Sequence, residues 1–254
     1  MQSFFHSPDN DSNPVIEPIP TVFPPIVGAD IAAVFVGKRM AGDFYDSIRV
    51  SPQRVLIGLL DVAGRRENNR KILNAAQQIF RTSGPELLAA EDVNEADAMT
   101  ELTLRINRGL IEISAGVLSC PSFLACYHEK FGTVCYTNAG HTPALVRDGS
   151  GIVELGSTGL PLGLFSHATS DARMVALENR AALLLVSRGV VACEGRNNGS
   201  VEEFGLERVK NVFQDLPVGR PQELCSSVLN AAAVFGGEGP VCDDRTALAL
   251  VRAS

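Results

Sequence analysis

Acidic residues stand where three predicted strands begin or end. Asp43 lies in the string GDFYD, which we predict closes the first hairpin, Asp61 ends a continuous apolar run, and Asp243 precedes the last strand. A carboxylate that is desolvated without a partner destabilises the fold strongly, so such residues need neutralising groups. Carboxylate and carbonyl oxygens together suit Mg²⁺ or Mn²⁺. Turn formation or helix capping is the alternative role for each aspartate, and the residues alone leave both roles open.

The elements that must position these residues are strands that group together, with helices in blocks of two. Short apolar or alternating runs predict strands at Ile31–Val36, Ser47–Val50, Val55–Leu60, Ser122–Tyr127, Val134–Asn138, Ala144–Arg147, Met174–Leu177, Ala182–Val186 and Thr246–Val251. Apolar spacings of three and four predict helices at Ile72–Phe80, Met99–Ile113, Phe204–Leu216 and Leu224–Phe235. This block order predicts an α+β fold, a β-sandwich of antiparallel sheets with helices on both outer faces.

Composition narrows the classes of protein. The 254 residues include 22 lysines and arginines against 29 aspartates and glutamates, a net charge of −7, and 45% hydrophobic residues. The apolar fraction excludes wholesale disorder, and the acidic balance argues against nucleic acid or an anionic membrane as a partner. The six cysteines show no paired spacing and are expected to be reduced, buried thiols.

The chain reads as a single domain behind a proline-rich start. We expect residues 1–25 to form an extended lead-in and residues 26–254 to form the domain. The apolar runs are far shorter than the ~20 residues that cross a bilayer, and the first residues lack a basic, apolar signal pattern. A cytoplasmic location is therefore expected.

An ordered set of motifs resembles a known family. The strings AGDFYD, LDVAG, NAGHTPALV, GLPLGLF, SRGVV and DDRTALALV occur in this order between about Pro25 and Arg252. They resemble the bacterial stage II sporulation protein E-type (SpoIIE-like) phosphatases of the PPM superfamily, the type 2C, metal-dependent serine/threonine phosphatases. The resemblance implies a four-layer αββα sandwich with a two-metal site at one end of the sheets, so residues 26–254 would be a PPM-type phosphatase-like domain.

The same resemblance implies the site residues. Carried over motif by motif, the metal positions are Asp61, the carbonyl of Val62, Arg188 and Asp243, with Asp43 in an outer, water-mediated contact. The catalytic residues would then be Asp43, Asp61 and Asp243. The implied cofactor is Mn²⁺ or Mg²⁺, two ions in the family, and such ions lower the pKa of a bound water and neutralise phosphate charge.

Three departures from the family pattern weaken the expected metal site. Arg188 stands where the family has a metal-binding aspartate, Leu60 replaces a glycine, and Arg66 replaces another. At ~4 Å and an effective dielectric of 20, a unit charge contributes about 4 kcal/mol, so the arginine should repel a cation. We expect one ion or none, and we expect the Arg188 guanidinium to pair with Asp61 or Asp243 through forked hydrogen bonds.

Two functions therefore compete. The first is a metal-dependent protein serine/threonine phosphatase of reduced or lost activity that acts on a phosphorylated regulatory protein, with an anti-anti-sigma (STAS-type) factor as the implied substrate class. Arg65 and Arg66 are candidate contacts to that substrate, and Arg188 could take over the charge of a missing ion in a one-metal hydrolase. The alternative is a catalytically inactive pseudophosphatase that binds a phosphoprotein or a kinase. His141 is expected to brace a turn.

Overall fold

The computed structural model describes residues 20–37, 42–62, 66–114, 119–166, 170–197, 200–217, 219–237 and 243–253. Within them, the strands are β1 (Ala29–Val36), β2 (Asp43–Ser51), β3 (Arg54–Asp61), β4 (Ser122–His128), β5 (Thr133–Ala139), β6 (Ala144–Asp148), β7 (Gly151–Leu155), β8 (Arg173–Ala176), β9 (Ala182–Val186), β10 (Glu194–Asn197), β11 (Ser200–Glu203) and β12 (Arg245–Arg252). The helices are α1 (Arg66–Leu88), α2 (Glu95–Ser114), α3 (Arg188–Val191), α4 (Gly205–Asp215) and α5 (Pro221–Gly236).

Two five-stranded antiparallel sheets form the centre of the molecule. The first sheet has the order β2-β3-β4-β5-β8, and the second has the order β1-β12-β9-β6-β7. Helices α1 and α2 pack on the first sheet, and α4 and α5 pack on the second. The predicted fold class, an α+β four-layer sandwich, is confirmed.

Strand β3 shows why the layers stack in this way. All eight of its residues are buried, and successive side chains point to opposite faces of the sheet. Leu56 and Leu60 pack in the cluster under α1 and α2, whereas Ile57 and Leu59 pack between the two sheets. A third cluster joins the second sheet to α4 and α5, so each sheet is buried on both faces.

Each strand and helix that we predicted overlaps an observed one, but the structure adds several elements. Strand β7, the β10–β11 hairpin and the single turn α3 were not predicted. These elements are four or five residues long, and β7 and β11 are largely exposed, so they carry no long apolar period that the sequence could reveal.

The expectation that GDFYD closes the first hairpin is wrong. Asp43 begins β2, which pairs with β3, whereas β1 pairs with β12 in the other sheet. The string is therefore the start of a strand, although it contains two acidic residues. A strand can hold Asp46 at a fully buried position because Arg81 of α1 neutralises it.

Hydrogen bonds to Asp46 connect β2 with α1 and with the lead-in. It accepts hydrogen bonds from Arg81 Nε at 2.6 Å and Nη2 at 2.8 Å, and from Gln77 Nε2 at 3.1 Å. Thr21 of the lead-in donates to the carbonyl of Tyr45 at 2.7 Å and to Asp46 at 3.3 Å. Residues 20–25 thus lie against β2, while residues 1–19 of the predicted lead-in are outside the described residues, and the boundary at 25 stays a prediction.

Removing Arg81 should destabilise the protein, because Arg81 neutralises the buried Asp46. We expect Arg81→Met to lower the free energy of unfolding by about 3 kcal/mol, because Asp46 would remain buried without its cation. Arg105→Met is the matched control, since Arg105 pairs with Glu86 and Glu101 at the surface and should cost less than about 1 kcal/mol. Urea unfolding measures both variants, and equal losses would contradict this account.

Candidate active site

Asp43 and Asp61 lie directly opposite each other at one end of the first sheet. Asp43 is the first residue of β2, Asp61 is the last residue of β3, and the two are partners in the antiparallel register. The backbone N–H of Asp61 donates to the carbonyl of Pro121 at 2.9 Å, which fixes the end of β3 beside the start of β4. The two carboxylates are therefore held side by side by the strands that carry them.

The Asp43 carboxylate reaches the second sheet. Thr246 Oγ1 of β12 donates to Asp43 Oδ2 at 2.7 Å, and the Ser187 side chain also hydrogen-bonds to it. Ser187 and Thr246 are themselves joined, because Ser187 N donates to the Thr246 carbonyl at 2.9 Å and Thr246 N donates to Ser187 Oγ at 3.0 Å. Asp43 thus connects the ends of β2, β9 and β12.

Burial dominates the electrostatics of this carboxylate. Desolvation raises the pKa of Asp43 to about 7, although the hydrogen bonds from Ser187 and Thr246 lower it. The neighbouring charges of Asp61 and Asp243 raise it further. A cation near this carboxylate would stabilise its charged form beyond what these two hydrogen bonds provide.

Asp61 has a similar environment with one cation added. Desolvation raises its pKa to about 6, the charge of Asp243 raises it further, and the Arg188 guanidinium and backbone N–H both lower it. Asp244 also contributes a raising charge. The acidic residues of β2, β3 and the start of β12 are therefore within electrostatic reach of one another at one end of the sandwich.

The Val62 carbonyl, which the resemblance implied as a metal ligand, is held by α1. Asn69 Nδ2 donates to it at 3.2 Å, and Val62 N donates to the carbonyl of Gly42 at 3.3 Å. Gly42 has φ +143°, and a Cβ there would lie 2.9 Å from Asn69 Nδ2. Only glycine allows this close packing. Asn69 was not predicted, because its role depends on the docking of α1.

Asp243 is positioned by a glycine of the SRGVV string. A Cβ on Gly189 would overlap the carbonyl oxygen of Asp244 and lie 3.3 Å from the Cβ of Asp243. The missing side chain lets α3 pack closely against the start of β12. Asp243 Oδ1 accepts a hydrogen bond from the backbone N–H of Asp244 at 2.9 Å, which orients the Asp243 carboxylate.

The forked ion pair that we expected for Arg188 is not formed. Arg188 is exposed, and no acidic side chain among the described residues lies within ion-pair distance of its guanidinium. It begins α3, so its backbone N–H faces Asp61 while its side chain extends outward. The guanidinium therefore affects Asp61 at longer range than a hydrogen bond.

Other predicted residues lie elsewhere or outside the description. Arg65 is outside the described residues, as is the side chain of Arg66 at the start of α1. His141 is buried in the turn after β5, where Nδ1 contacts the Thr142 carbonyl at 3.0 Å and the backbone N–H donates to Asn138 Oδ1 at 2.8 Å. Burial lowers the pKa of His141 to about 4, which suits a neutral residue that braces the turn.

The oxygen atoms at this end of the sandwich suit a hard divalent cation, but they are few. The Asp43 and Asp61 carboxylates and the Val62 carbonyl are all oxygen ligands, and the raised carboxyl pKa values show negative charge in need of compensation. Across the described part of the chain, however, no three acidic, histidine or cysteine side chains come close enough together to hold an ion.

The fold is the one found in solved phosphatase domains of the PP2C type. The model of the family Stage II sporulation protein E (SpoIIE) matches residues 51–253, and the chain belongs to this family. A curated relative, Stage II sporulation protein E of Priestia megaterium, is 22% identical over 197 residues, which cover 76% of this chain and 31% of the relative. The chain thus spans about a third of that relative's length.

Solved structures share the fold. The SiaA-PP2C domain of Pseudomonas aeruginosa matches with a TM-score of 0.73 and 18% identity over 88% of this chain and 85% of that one. The RsbU and RsbW domains of Rv1364c from Mycobacterium tuberculosis match with a TM-score of 0.70 and 21% identity over 89% of this chain and 60% of that one. Among the described helices, none is both long and apolar enough to cross a membrane.

The buried carboxylates predict how stability depends on pH in metal-free protein. Because the pKa values of Asp43 and Asp61 are raised to about 7 and 6, the folded state binds more protons than the unfolded chain between pH ~4 and ~7. The free energy of unfolding should therefore fall as pH rises through this window. Asp43→Asn should flatten the fall, measured by urea unfolding in EDTA.

Asp148→Asn is the control for this experiment. Hydrogen bonds from Ser150 lower the pKa of the exposed Asp148, so it is ionised in both states above pH ~5. Its removal should leave the slope between pH 5 and 7 unchanged. Asp61 should leave part of the slope in Asp43→Asn, and a slope as steep as that of the wild-type protein would show that Asp43 does not contribute to it.

Proposed function

We propose that this chain is a metal-dependent protein serine/threonine phosphatase of weakened metal affinity, acting on a phosphorylated regulatory protein. The observation that supports this most is the cross-strand pairing of Asp43 with Asp61 at the sandwich end where Asp243 also lies. Acidic residues of β2, of β3 and of the segment before β12 are within electrostatic reach of one another there, and the family match covers β3, β9 and β12. A purely structural end of a sandwich has no need of uncompensated buried carboxylates.

The chain's own residues divide the work. Asp61 and the Val62 carbonyl would hold a Mn²⁺ or Mg²⁺ ion, with Asp43 in its outer surroundings and Asp243 adding negative charge. The bound ion would polarise the phosphoryl group and make water a better nucleophile. Thr246 and Ser187 keep the Asp43 carboxylate oriented, and Asn69 keeps the Val62 carbonyl in place. No covalent protein nucleophile is needed.

Arg188 limits the site to one ion in this proposal. A cation near the position of a family ligand repels a second metal, and here the Arg188 charge acts from an exposed position on the side of Asp61. Its exposed guanidinium can instead meet a phosphate group that arrives from solvent. Arginine would then supply part of the charge neutralisation of the missing ion.

The second candidate is a pseudophosphatase, which the Arg188 backbone contact to Asp61 favours. That hydrogen bond and the guanidinium already lower the pKa of Asp61, so they compensate part of the charge that would attract a metal. In this case the site would bind a phosphoprotein or a kinase without turnover. For the phosphatase, we propose a STAS-type anti-anti-sigma factor as the class of substrate.

Metal stoichiometry tests both candidates directly. We expect wild-type protein to bind one Mn²⁺ by titration calorimetry, Asp61→Asn to bind none, and Arg188→Asp to bind two. Arg188→Asp should also raise Mn²⁺ affinity at least about 100-fold, because two units of charge change beside the ion. Hydrolysis of p-nitrophenyl phosphate is followed in parallel and should be slow, Mn²⁺-dependent and abolished in Asp61→Asn.

Arg196→Asp is the matched control, since it makes the same charge change at an exposed position of the β10–β11 hairpin. It should leave the metal count at one. Two ions in wild-type protein would show that Arg188 does not weaken the site. One bound ion without hydrolysis of p-nitrophenyl phosphate or of phosphorylated STAS-type protein would favour the pseudophosphatase.

A further inference from the structure

Three apolar side chains project into solvent from the GLPLGLF string. Leu160, Leu164 and Phe165 are 54%, 38% and 47% exposed, and we call them the apolar rim. Leu162 of the same string is fully buried and packs under α1 and α2. A hydrophobic string with one buried anchor and three exposed members is typical of a binding surface, since exposed apolar groups that cluster mark interaction sites.

The backbone beneath the apolar rim is fixed at two places. Leu162 and Cys120 exchange backbone hydrogen bonds of 2.8 and 3.1 Å. The buried Asn107 of α2 donates to the Phe165 carbonyl at 2.8 Å and accepts from the N–H of Gly163 at 2.8 Å. Because the backbone is already ordered, a ligand that covers the rim does not have to order it, which lowers the entropic cost of binding.

The apolar rim also adjoins the candidate active site. Cys120, which pairs with Leu162, precedes Pro121, whose carbonyl accepts the N–H of Asp61 at 2.9 Å. Burial raises the pKa of the Cys120 thiol, and a hydrogen bond with Ser122 lowers it. The nearby charge of Asp61 also raises this pKa. The string that carries the rim is therefore anchored at the end of the first sheet where β3 ends in Asp61.

Charge indicates which chemistry the neighbouring segment must have. The protein carries a net charge of −7, and a phosphorylated segment brings further negative charge. The net charge of the protein therefore opposes the long-range approach of such a segment, so apolar contacts beside the phosphate would add affinity that the net charge does not supply. An extended segment with large aliphatic residues next to its phosphoserine fits both the site and its rim.

We propose that the apolar rim is the docking surface for the phosphoprotein substrate, and that it selects aliphatic residues flanking the phosphorylated serine. This inference rests on the proposed function, since it assumes a phosphoserine at the adjacent site. It assigns a role to the GLPLGLF string that the chemistry at the aspartates leaves unexplained. The rim determines which substrate binds, whereas the aspartates act on the phosphate.

Fluorescence polarisation with labelled peptides tests the proposal without relying on turnover. Three probes share an alanine and lysine background: phosphoserine between leucines, phosphoserine between serines, and unmodified serine between leucines. Wild-type protein should bind the first at least about ten-fold tighter than the second. The variant Leu160→Ser/Phe165→Ser should lose this preference, because its rim no longer offers apolar surface.

Val234→Ser is the matched control. Val234 is 82% exposed and belongs to α5, the helix that packs on the second sheet. It should keep the preference, and urea unfolding should show that all three proteins are equally stable. The proposal is overturned if wild-type protein shows no leucine preference or if the rim variant keeps it. It is also overturned if sedimentation shows that the wild-type protein is a dimer and the rim variant a monomer. A leucine preference that is independent of the phosphate would support the rim while contradicting the phosphatase function.

Discussion

The hydrogen bond from Thr246 to Asp43 is the contact on which the site depends, because it joins the two sheets at the end where the acidic residues lie. Thr246 also forms two hydrogen bonds with Ser187, one with its backbone N–H and one with its hydroxyl. These contacts bring the ends of β9, β12 and β2 together. Asp43 is thereby kept in a half-buried position, where desolvation of its carboxylate raises its pKa. A shift of one sheet against the other would separate Asp43 from Asp243.

The GDFYD string shows two ways of burying an aspartate a few residues apart. Asp46 is fully buried and neutralised by two hydrogen bonds from Arg81, so it stabilises the packing of α1 on β2. Asp43 accepts hydroxyl hydrogen bonds, and no lysine or arginine among the described residues pairs with it. The charge of Asp46 is compensated within the protein by Arg81. The charge of Asp43 is left for a cation or a proton to compensate.

Arg188 connects the electrostatics of the site to the competing functions. Its backbone N–H contacts Asp61, while its guanidinium lies in solvent, because the residue begins the single turn α3. In our proposal this side chain weakens metal binding and meets an incoming phosphate. The apolar rim lies next to the same strand end, so charge and substrate selection would be provided by neighbouring but separate segments.

The layered fold could be predicted from the sequence, because continuous apolar strands and amphipathic helices have periods that depend only on local residue order. The motifs also identified Asp43, Asp61 and Asp243 as residues of one end, before any contact was visible. Long-range packing decided the rest. The pairing of β1 with β12, the grip of Asn69 on the Val62 carbonyl and the outward direction of Arg188 depend on how distant segments dock. Periodicity carries no information about such contacts, since they join residues far apart in the chain.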